Sequence, residues 1–268
     1  MLNAYPDYYP QFSCIADRCR HNCCIGWEID VDENTLASYH RIGGEMGERL
    51  RRSISEDDDA PHFLLGEHER CPFLNGKNLC DLILYGGDKL LCQICTDHPR
   101  YRSFFSERTE IGVGLCCEEA ARLILTKSDR TTLVVTGEGT LDEDETALLA
   151  LRDRFFAAAQ EREKPIFQRV ERFLSLCGAS LPDIPLTQWA EFYLSLERMD
   201  EQWTELLRAL RSHADELPLS DFAAHMNGRE TEYEQLLVYF LYRHVPAALD
   251  DGDVGSKAAF AAASVQLL

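Results

Sequence analysis

Residues 12–30 have the sequence FSCIADRCRHNCCIGWEID, which contains Cys14, Cys19 and the doublet Cys23-Cys24. They open a region in which ten of the eleven cysteines of the chain occur within the first 117 residues. Thiolates bind soft and borderline metals strongly, so thiols grouped at short spacings indicate zinc or an iron–sulfur cluster more than they indicate packing. The sequence therefore predicts that the N-terminal part of the fold is built around a metal or cluster site.

Three further cysteine groups follow along the chain: CPFLNGKNLC at 71–80, CQIC at 92–95 and the doublet at 116–117. The Asn-Gly pair in the first of them is a strong turn signal, so we expect a knuckle that folds its two cysteines toward each other. Neighbouring cysteines point in different directions, so only one of each doublet is expected at a given ion. Cys177 stands alone and is interpreted as a small buried hydrophobe. The candidate metal ligands are Cys14, Cys19, Cys23, Cys24, Cys71, Cys80, Cys92, Cys95 and Cys117.

A disulfide framework is the competing interpretation of so many cysteines, and it would require an oxidising compartment. The first ten residues, MLNAYPDYYP, contain neither a basic region nor an apolar run, so no signal peptide is predicted. The chain also lacks a run of about eighteen apolar residues, which argues against a membrane-spanning helix. We therefore expect a cytoplasmic protein with reduced thiols and no membrane partner.

Composition limits the classes of partner. The chain has 268 residues, of which 45% are hydrophobic, so it can bury a substantial core. Its net charge is −19, and no basic face is visible, so a nucleic-acid partner is not expected. An acidic surface would attract a cationic protein substrate, although the same charge is also explained by solubility alone.

The pattern of apolar residues predicts a mostly α fold in two parts. A cysteine-rich metal- or cluster-binding region at 1–126 is expected to pack on a C-terminal helical bundle at 140–268. The segment at 25–32 alternates apolar and polar residues, which favours a short strand. Amphipathic spacing and helix-start signals predict helices at 33–39, 117–125, 142–160, 165–178, 187–213, 232–244 and 257–268.

The cysteine spacings leave the type of metal site open. Cys19 and Cys23 form a C-x3-C pair like the start of the radical S-adenosylmethionine (SAM) signature, but Gly26 occupies the position of the third cysteine. The second and third cysteine groups together offer a set for tetrathiolate zinc. An iron–sulfur cluster is our first choice and zinc is the alternative. His21 and His98 lie beside candidate ligands and are either further donors at the metal or ordinary polar residues.

With these motifs in place, the chain resembles the flagellin lysine-N-methylase family, which is related to a broader group of zinc- or iron-chelating proteins with a C-x2-C-x2-C-C core. Two positions depart from the family pattern: His98 stands where the family often has Tyr, and Glu118 stands where it often has Pro. The resemblance is carried by the cysteine segments at 12–30, 71–80, 95–100 and 117–122 and, more weakly, by YEQLLVYFLYR at 233–243.

The resemblance implies methyl transfer from SAM to lysine ε-amines of flagellin, with a cysteine-ligated iron–sulfur cluster, expected to be [4Fe–4S], as the metal centre. A neutral amine attacks a sulfonium methyl directly, so the missing third cysteine of the radical signature is no obstacle. The enzyme must desolvate or deprotonate the amine and align it with the methyl group. A different class also fits the cysteines, namely a non-catalytic module that holds zinc or iron.

Overall fold

A computed structural model describes residues 1–56, 60–198, 200–214 and 228–266. The chain forms two compact units: the first comprises residues 1–126 and 131–141, and the second comprises residues 127–130 and the residues from 142 onward. Helix is the main secondary structure, as a mostly α chain predicts, and the first unit also contains a small sheet. No helix in the described ranges is long and apolar enough to cross a membrane.

Four short strands form a mixed sheet in the first unit. The N-terminal strand lies inside it, parallel to one neighbour (Leu2 opposite Arg108) and antiparallel to the other (Asn3 opposite Thr136). This sheet was not predicted from the sequence, because its strands are short and two of its three pairings, those of β1 with β5 and with β6, join segments more than 100 residues apart in the chain. The strands are β1 (Leu2–Pro6), β2 (Ile54–Ser55), β3 (His62–Phe63), β4 (Arg100–Phe104), β5 (Arg108–Val113) and β6 (Leu133–Thr136); the sheet order is β4-β5-β1-β6, and β2 pairs with β3.

The strand predicted at 25–32 does not form. This segment makes two isolated backbone bridges, from Ile25 to Arg70 and from Asp30 to His62. Because the two partners come from different parts of the chain, no continuous ladder develops between them. The strand prediction was therefore wrong, although the alternation of apolar and polar residues does reflect burial on one side of the segment.

Short helices surround the core of the first unit. Asp32 begins the first of them, because its carboxylate accepts hydrogen bonds from Thr35 N at 3.0 Å and from Thr35 Oγ1 at 2.7 Å. The helix predicted at 33–39 is thereby confirmed. The helices of this unit are α1 (Glu33–Tyr39), α2 (Gly44–Arg52), α3 (Asp81–Gly86), α4 (Gln93–Asp97) and α5 (Glu118–Leu125).

The core of the first unit combines aromatic rings with thiols. Phe63 stacks on Tyr39 with ring centroids 6.3 Å apart and packs against Phe73 at 5.0 Å. Cys71 and Cys92 are buried in the same cluster, and the side chain of Cys92 has no exposed surface. Cysteine side chains are thus part of the hydrophobic core as well as candidate ligands.

Within the described residues, the second unit is built from helices. Its first long helix begins at a capping box: Asp142 accepts a hydrogen bond from Glu145 N at 2.8 Å, and the Glu145 carboxylate accepts one from Asp142 N at 3.1 Å. The predicted central helix at 232–244 is confirmed and is buried on most sides. The helix predicted at 257–268 begins earlier, at Val254, and residues 267 and 268 lie outside the described residues. These helices are α6 (Glu143–Ala159), α7 (Ile166–Ser175), α8 (Leu186–Leu194), α9 (Glu201–His213), α10 (Glu230–His244), α11 (Ala248–Asp251) and α12 (Val254–Gln266).

The single helix predicted over 187–213 is wrong, because the segment forms the two helices α8 and α9. Asp200 starts the second of them, and its carboxylate accepts a hydrogen bond from Trp203 N at 2.6 Å. An aspartate in this role satisfies a free backbone N–H group and favours a helix start over helix continuation. The aromatic residues that suggested one long helix instead pack across the break, with the rings of Tyr193 and Trp203 6.1 Å apart.

Glu234 is the centre of a buried ion-pair network in the second unit. Its side chain has no exposed surface and accepts hydrogen bonds from Arg162 at 2.8 and 3.0 Å and from Arg169 at 3.0 Å. Arg169 is 2% exposed and also pairs with Glu230 at 3.1 Å. The two guanidinium groups satisfy both carboxylate oxygens, which offsets the loss of hydration. The network fixes α7 and the segment before it to α10.

We predict that Glu234→Gln lowers the free energy of unfolding by about 3 kcal/mol, because it leaves buried positive charge without its partner. The matched control is Glu161→Gln, which disrupts the more exposed pair with Arg172 (2.7 Å) and should cost less than about 1 kcal/mol. Urea denaturation followed by far-UV circular dichroism measures both variants. Equal losses in the two variants would contradict a special role for the buried network.

His244 lies in an aromatic cluster of the second unit. Its ring stacks on Phe240 at 6.0 Å and meets Phe260 edge-on at 4.8 Å. Burial, together with the charges of Arg243 and Lys257, lowers the pKa of His244 from 6.5 to about 4. Between these two pH values the unfolded chain binds a proton that the folded chain does not bind, so the folded state loses stability as the pH falls.

The variant His244→Phe keeps the ring contacts and cannot be protonated. We predict that its free energy of unfolding falls less than that of the wild type between pH 7 and pH 5, by about 1 kcal/mol; the full pKa shift is discounted because the ring is partly exposed. Parallel pH profiles for the wild type and His244→Phe would show that this ring does not set the dependence.

Candidate metal centre

Nine of the ten N-terminal cysteines form two groups in the first unit, and these nine are the predicted candidate ligands. Within each group the thiols lie close enough to influence one another's charge. The tenth, Cys116, is exposed. We name the groups the inner thiols, which are Cys24, Cys71, Cys80, Cys92 and Cys95, and the outer thiols, which are Cys14, Cys19, Cys23 and Cys117.

The backbone brings the inner thiols together from three parts of the chain. Cys71 N donates a hydrogen bond to Cys24 O at 2.9 Å, which joins the first cysteine segment to the second. The predicted knuckle is confirmed, because Leu74 and Cys80 form a backbone bridge across it. Asn75 holds the loop closed: its Oδ1 accepts hydrogen bonds from the backbone N–H groups of residues 77 and 79 at 2.9 and 3.2 Å.

The third segment contributes the two inner thiols that flank the start of α4. Cys92 immediately precedes this helix and Cys95 lies within it. The carboxylate of Asp32, which begins α1, also accepts a hydrogen bond from Gln93 N at 2.9 Å. One aspartate therefore positions the starts of two helices, and with them the pair of cysteines on α4.

The inner thiols are largely dry, and their protonation reflects this. Burial raises the pKa of Cys71 to about 11. A hydrogen bond from the Cys95 thiol lowers the pKa of Cys92, and the Tyr39 hydroxyl, 3.6 Å from Cys92 Sγ, adds to the effect. The same hydrogen bond raises the pKa of Cys95. One sulfur of this pair is thus favoured as a thiolate, which is the form that binds metal.

The outer thiols are more exposed and are held together by one carboxylate. Glu118, the first residue of α5, accepts hydrogen bonds from Arg20 N at 2.7 Å and from His21 N at 3.2 Å through the same oxygen. This attaches the loop between Cys19 and Cys23 to the start of α5, where Cys117 is the preceding residue. Burial, followed by the charge of the neighbouring thiols, Cys117 first among them, raises the pKa of Cys19 to about 11.

Two aromatic rings accompany Cys23. The indole N–H of Trp27 donates a hydrogen bond to Cys23 O, and the Trp27 ring lies 5.6 Å from that of His98. A hydrogen bond from the Cys24 thiol, followed by one from His98, lowers the pKa of Cys23 to about 4. His98 Nε2 is buried and has no hydrogen-bond partner among the described residues. The sequence analysis left the role of this histidine open, and the structure places it at the outer thiols.

The structure does not show an assembled metal site. Among the described residues, no three His, Cys, Asp or Glu side chains converge closely enough to hold a metal ion. The thiols are instead paired by hydrogen bonds, Cys23 with Cys24 and Cys92 with Cys95. The donor set nevertheless fits a soft metal, because five of the sulfurs share one apolar core and four more lie in one surface group.

Three features of the thiol-bearing residues and their neighbours differ from what the sequence predicts. Tyr39 was predicted only as a helix residue, yet its hydroxyl lies beside Cys92. Glu118 was noted only as a departure from a family pattern, and its carboxylate organises the outer thiols. Cys177 is half-buried rather than buried, and its thiol donates a hydrogen bond to Leu174 O at 3.2 Å. No short-range sequence signal marks the first two, since both roles depend on contacts over long chain separations.

Comparison with known proteins adds independent information. Two curated proteins named lysine-N-methylase, from Salmonella typhimurium (strain LT2) and Salmonella choleraesuis, are each 28% identical to this chain over 142 residues. This region covers 48% of the present chain and 33% of each relative. Over about half its length, the chain is homologous to lysine-N-methylases. This finding supports the family resemblance carried by the cysteine segments.

A third relative has a flagellar name. The flagellar biosynthetic protein FliU of Salmonella muenchen is 26% identical over 138 residues, which cover 48% of the present chain and 79% of that protein. The matched region is therefore only a third of the two lysine-N-methylases but most of FliU. No protein-family model and no solved structure matches the chain.

We predict that Tyr39→Phe weakens the inner thiol group. The hydroxyl donates to Leu90 O at 2.5 Å and lies 3.6 Å from Cys92 Sγ, so its loss leaves a buried carbonyl without its donor and removes a polar neighbour of the sulfur. The free energy of unfolding should fall by about 1 kcal/mol, and the affinity of the inner thiols for metal by about tenfold. Denaturation and competition with a chelator measure the two effects.

The matched control for this prediction is Tyr85→Phe, which removes the same hydroxyl from a side chain that is 58% exposed. It should change neither stability nor metal affinity. If Tyr39→Phe behaved like this control, the hydroxyl would have no part in the thiol site.

Proposed function

We propose that this chain is a SAM-dependent protein-lysine N-methyltransferase that acts on flagellin. The observation that carries the proposal is the similarity to two proteins named lysine-N-methylase, together with a cysteine framework of the kind expected for that family. The flagellar name of the third relative supports flagellin as the substrate. The matched region spans only a third of each of the two methylases. The proposal of methyltransferase activity for this chain therefore rests on that region.

The charge of the chain suits a lysine substrate. Its net charge of −19 would attract a protein segment rich in lysine and raise its rate of encounter. After binding, the enzyme must remove the proton from the ε-amine, since only the neutral amine is a nucleophile. Desolvation favours the neutral form of a lysine, so a site that excludes water would itself lower the barrier.

We assign the metal centre of the proposed enzyme to the inner thiols. Cys24, Cys71, Cys80, Cys92 and Cys95 would supply the thiolates for a cysteine-ligated iron–sulfur cluster, with zinc as the alternative metal. Burial protects such a cluster from water, and a hydroxyl beside a ligating sulfur is a usual means of tuning it. When bound, the cluster would supply either structural support or an iron site for the amino and carboxylate groups of SAM.

The second candidate function is a non-catalytic module that holds zinc or iron. The partial coverage of the methylases is the observation that favours it, because the matched region spans only a third of each of them. The two candidates differ in one respect that can be measured, because only a methyltransferase binds SAM and transfers its methyl group.

The decisive experiment is a methyl-transfer assay on protein purified without oxygen. Incubation with SAM and unmethylated flagellin should add methyl mass increments to flagellin lysines, detected by peptide mass spectrometry. Cys92→Ser should reduce the transfer at least about tenfold through loss of the metal centre, whereas the matched control Cys177→Ser should retain it. Absence of both SAM binding and any mass increment would favour the metal-binding module.

Visible and EPR spectra of the same preparation test the cluster separately. An iron–sulfur cluster gives a brown chromophore with matching amounts of iron and acid-labile sulfide. Stoichiometric zinc at the inner thiols without a chromophore would overturn the cluster assignment. It would not affect the test of methyl transfer, which is measured separately.

A further inference from the structure

We propose that a pocket between α8 and α9 binds the methylated ammonium group of a lysine side chain. The pocket has a volume of about 180 Å³ and lies in the second unit, where α8 ends and α9 begins. We name it the aromatic pocket, and its lining includes Tyr193, Trp203, Thr204 and Leu207. The inference rests on the proposed function for the origin of the ligand, because methylated lysine is the product of that reaction.

Two aromatic rings meet almost at a right angle in the aromatic pocket. The ring centroids of Tyr193 and Trp203 are 6.1 Å apart, and the two ring planes are inclined by 74°. The face of an aromatic ring carries a negative electrostatic potential, so it attracts a cation, and indole attracts cations most strongly. Pockets built from such rings are the usual recognition sites for quaternary ammonium groups, including methylated lysine.

Contacts outside the pocket hold both rings in place. Tyr193 packs edge-on against Phe192 at 5.5 Å and lies 6.4 Å from the ring of Trp189. Trp203 lies in the first turn of α9, where its backbone N–H donates a hydrogen bond of 2.6 Å to the Asp200 carboxylate. A site that is ordered before its ligand arrives loses less conformational entropy on binding.

The rest of the lining favours a methylated ammonium over an unmodified one. Leu207 is apolar, and the Thr204 hydroxyl already donates a hydrogen bond of 2.8 Å to Asp200 O. Both side chains are buried. An unmodified lysine would bring N–H donors to this surface, and each donor that lost its water would need an acceptor. Trimethylation removes the donors and keeps the positive charge, so the cost of desolvation falls.

The size of the aromatic pocket suits this group. A water molecule occupies about 30 Å³ in the liquid, so a volume of about 180 Å³ has room for several heavy atoms. A trimethylammonium group and the adjoining methylene groups of the lysine chain fit within it. Leu196, which also lines the pocket, is half exposed and offers an apolar surface to those methylene groups.

The charges around the aromatic pocket permit a cation to enter. The charged residues that line it are Glu197, Arg198 and Arg208. Glu201 pairs with both arginines, and its distance to Arg208 is 3.6 Å. The Glu197 carboxylate is exposed and attracts a positively charged side chain. The net charge of −19 acts in the same direction over a longer range.

A pocket of this kind would retain flagellin after its first methylation. A methylated side chain held in the pocket keeps the other lysines of the same polypeptide at a high effective concentration. The second unit would thereby favour the methylation of several lysines on one flagellin molecule.

Calorimetric titration of the whole chain tests the specificity of the aromatic pocket. The probes are three forms of one synthetic peptide with a single lysine: unmodified, trimethylated, and a neutral form in which carbon replaces the quaternary nitrogen. The trimethylated peptide should bind at least about tenfold more tightly than either of the others, because only it combines a cation with an apolar surface. Tetramethylammonium chloride is the small-molecule probe and should bind more weakly than the trimethylated peptide, since it lacks the methylene chain.

Variants assign the binding to the aromatic pocket. Trp203→Leu keeps an apolar side chain but removes the indole, and it should weaken binding of the trimethylated peptide at least about tenfold. Glu197→Gln changes one exposed carboxylate with little risk to the fold and should weaken binding about threefold. The matched controls are Phe167→Leu, at a ring on α7 that is 59% exposed, and Glu205→Gln, at an exposed carboxylate of α9. Both controls lie outside the pocket and should leave the affinity unchanged.

Three results would overturn the inference. The first is a trimethylated peptide that binds no more tightly than the unmodified or the neutral form, which would mean that the pocket does not recognise a methylated cation. The second is unchanged affinity in both Trp203→Leu and Glu197→Gln, which would place the binding elsewhere. The third is equal affinity for tetramethylammonium and the trimethylated peptide, which would assign the pocket to a small quaternary amine.

The titration requires neither SAM nor a metal. Failure of the methyl-transfer assay would therefore leave its result intact, and methyl transfer without selective peptide binding would overturn this inference alone. The two proposals can fail independently.

Discussion

The structure of the first unit depends on how its buried sulfurs are satisfied. Cys92 has no exposed surface and Cys71 only 7%, so neither thiol can rely on water. Cys71 interacts with the backbone N–H groups of Phe73 and Leu74, and Cys92 interacts with the Cys95 thiol and the Tyr39 hydroxyl. The aromatic core formed by Phe63 and Phe73 closes around them. Helices as short as α3 and α4 are marginal on their own. Their positions follow from the contacts that bring the cysteines together, so metal affinity and fold stability should be linked in this unit.

The sequence predicted those parts of the fold that local chemistry controls. Asp32 and Asp142 begin helices at the expected places, because a capping carboxylate satisfies backbone N–H groups within a few residues of itself. The knuckle at 71–80 forms because its Asn-Gly turn is also local. The placement of β1 in the sheet and the anchoring of residues 20 and 21 by Glu118 were not predictable in this way, since each joins distant segments and leaves no periodic pattern.

The sequence named nine candidate cysteines, and it did not show how the fold would group them. All nine candidate cysteines lie in one of the two thiol groups, yet their spacing did not show that Cys23 and Cys24 would be divided between them. The division requires Cys24 O to accept the hydrogen bond from Cys71 N, which holds one member of the doublet at the core. The loop before it remains near the surface, where Glu118 holds it. A doublet thus links two groups of different exposure through a single peptide unit.

The two departures from the family pattern gain a physical meaning from this arrangement. His98 and Glu118 both lie at the outer thiols, since His98 interacts with Cys23 and Glu118 holds the loop between Cys19 and Cys23. A proline at position 118 could begin α5 equally well, but it could not accept hydrogen bonds from residues 20 and 21. A tyrosine ring contains no nitrogen, so a tyrosine at position 98 would not leave a buried imidazole nitrogen without a hydrogen-bond partner. The segments that carry the family resemblance supply cysteines to both thiol groups, so the two departures change the surroundings of the outer thiols and leave the cysteines themselves in place.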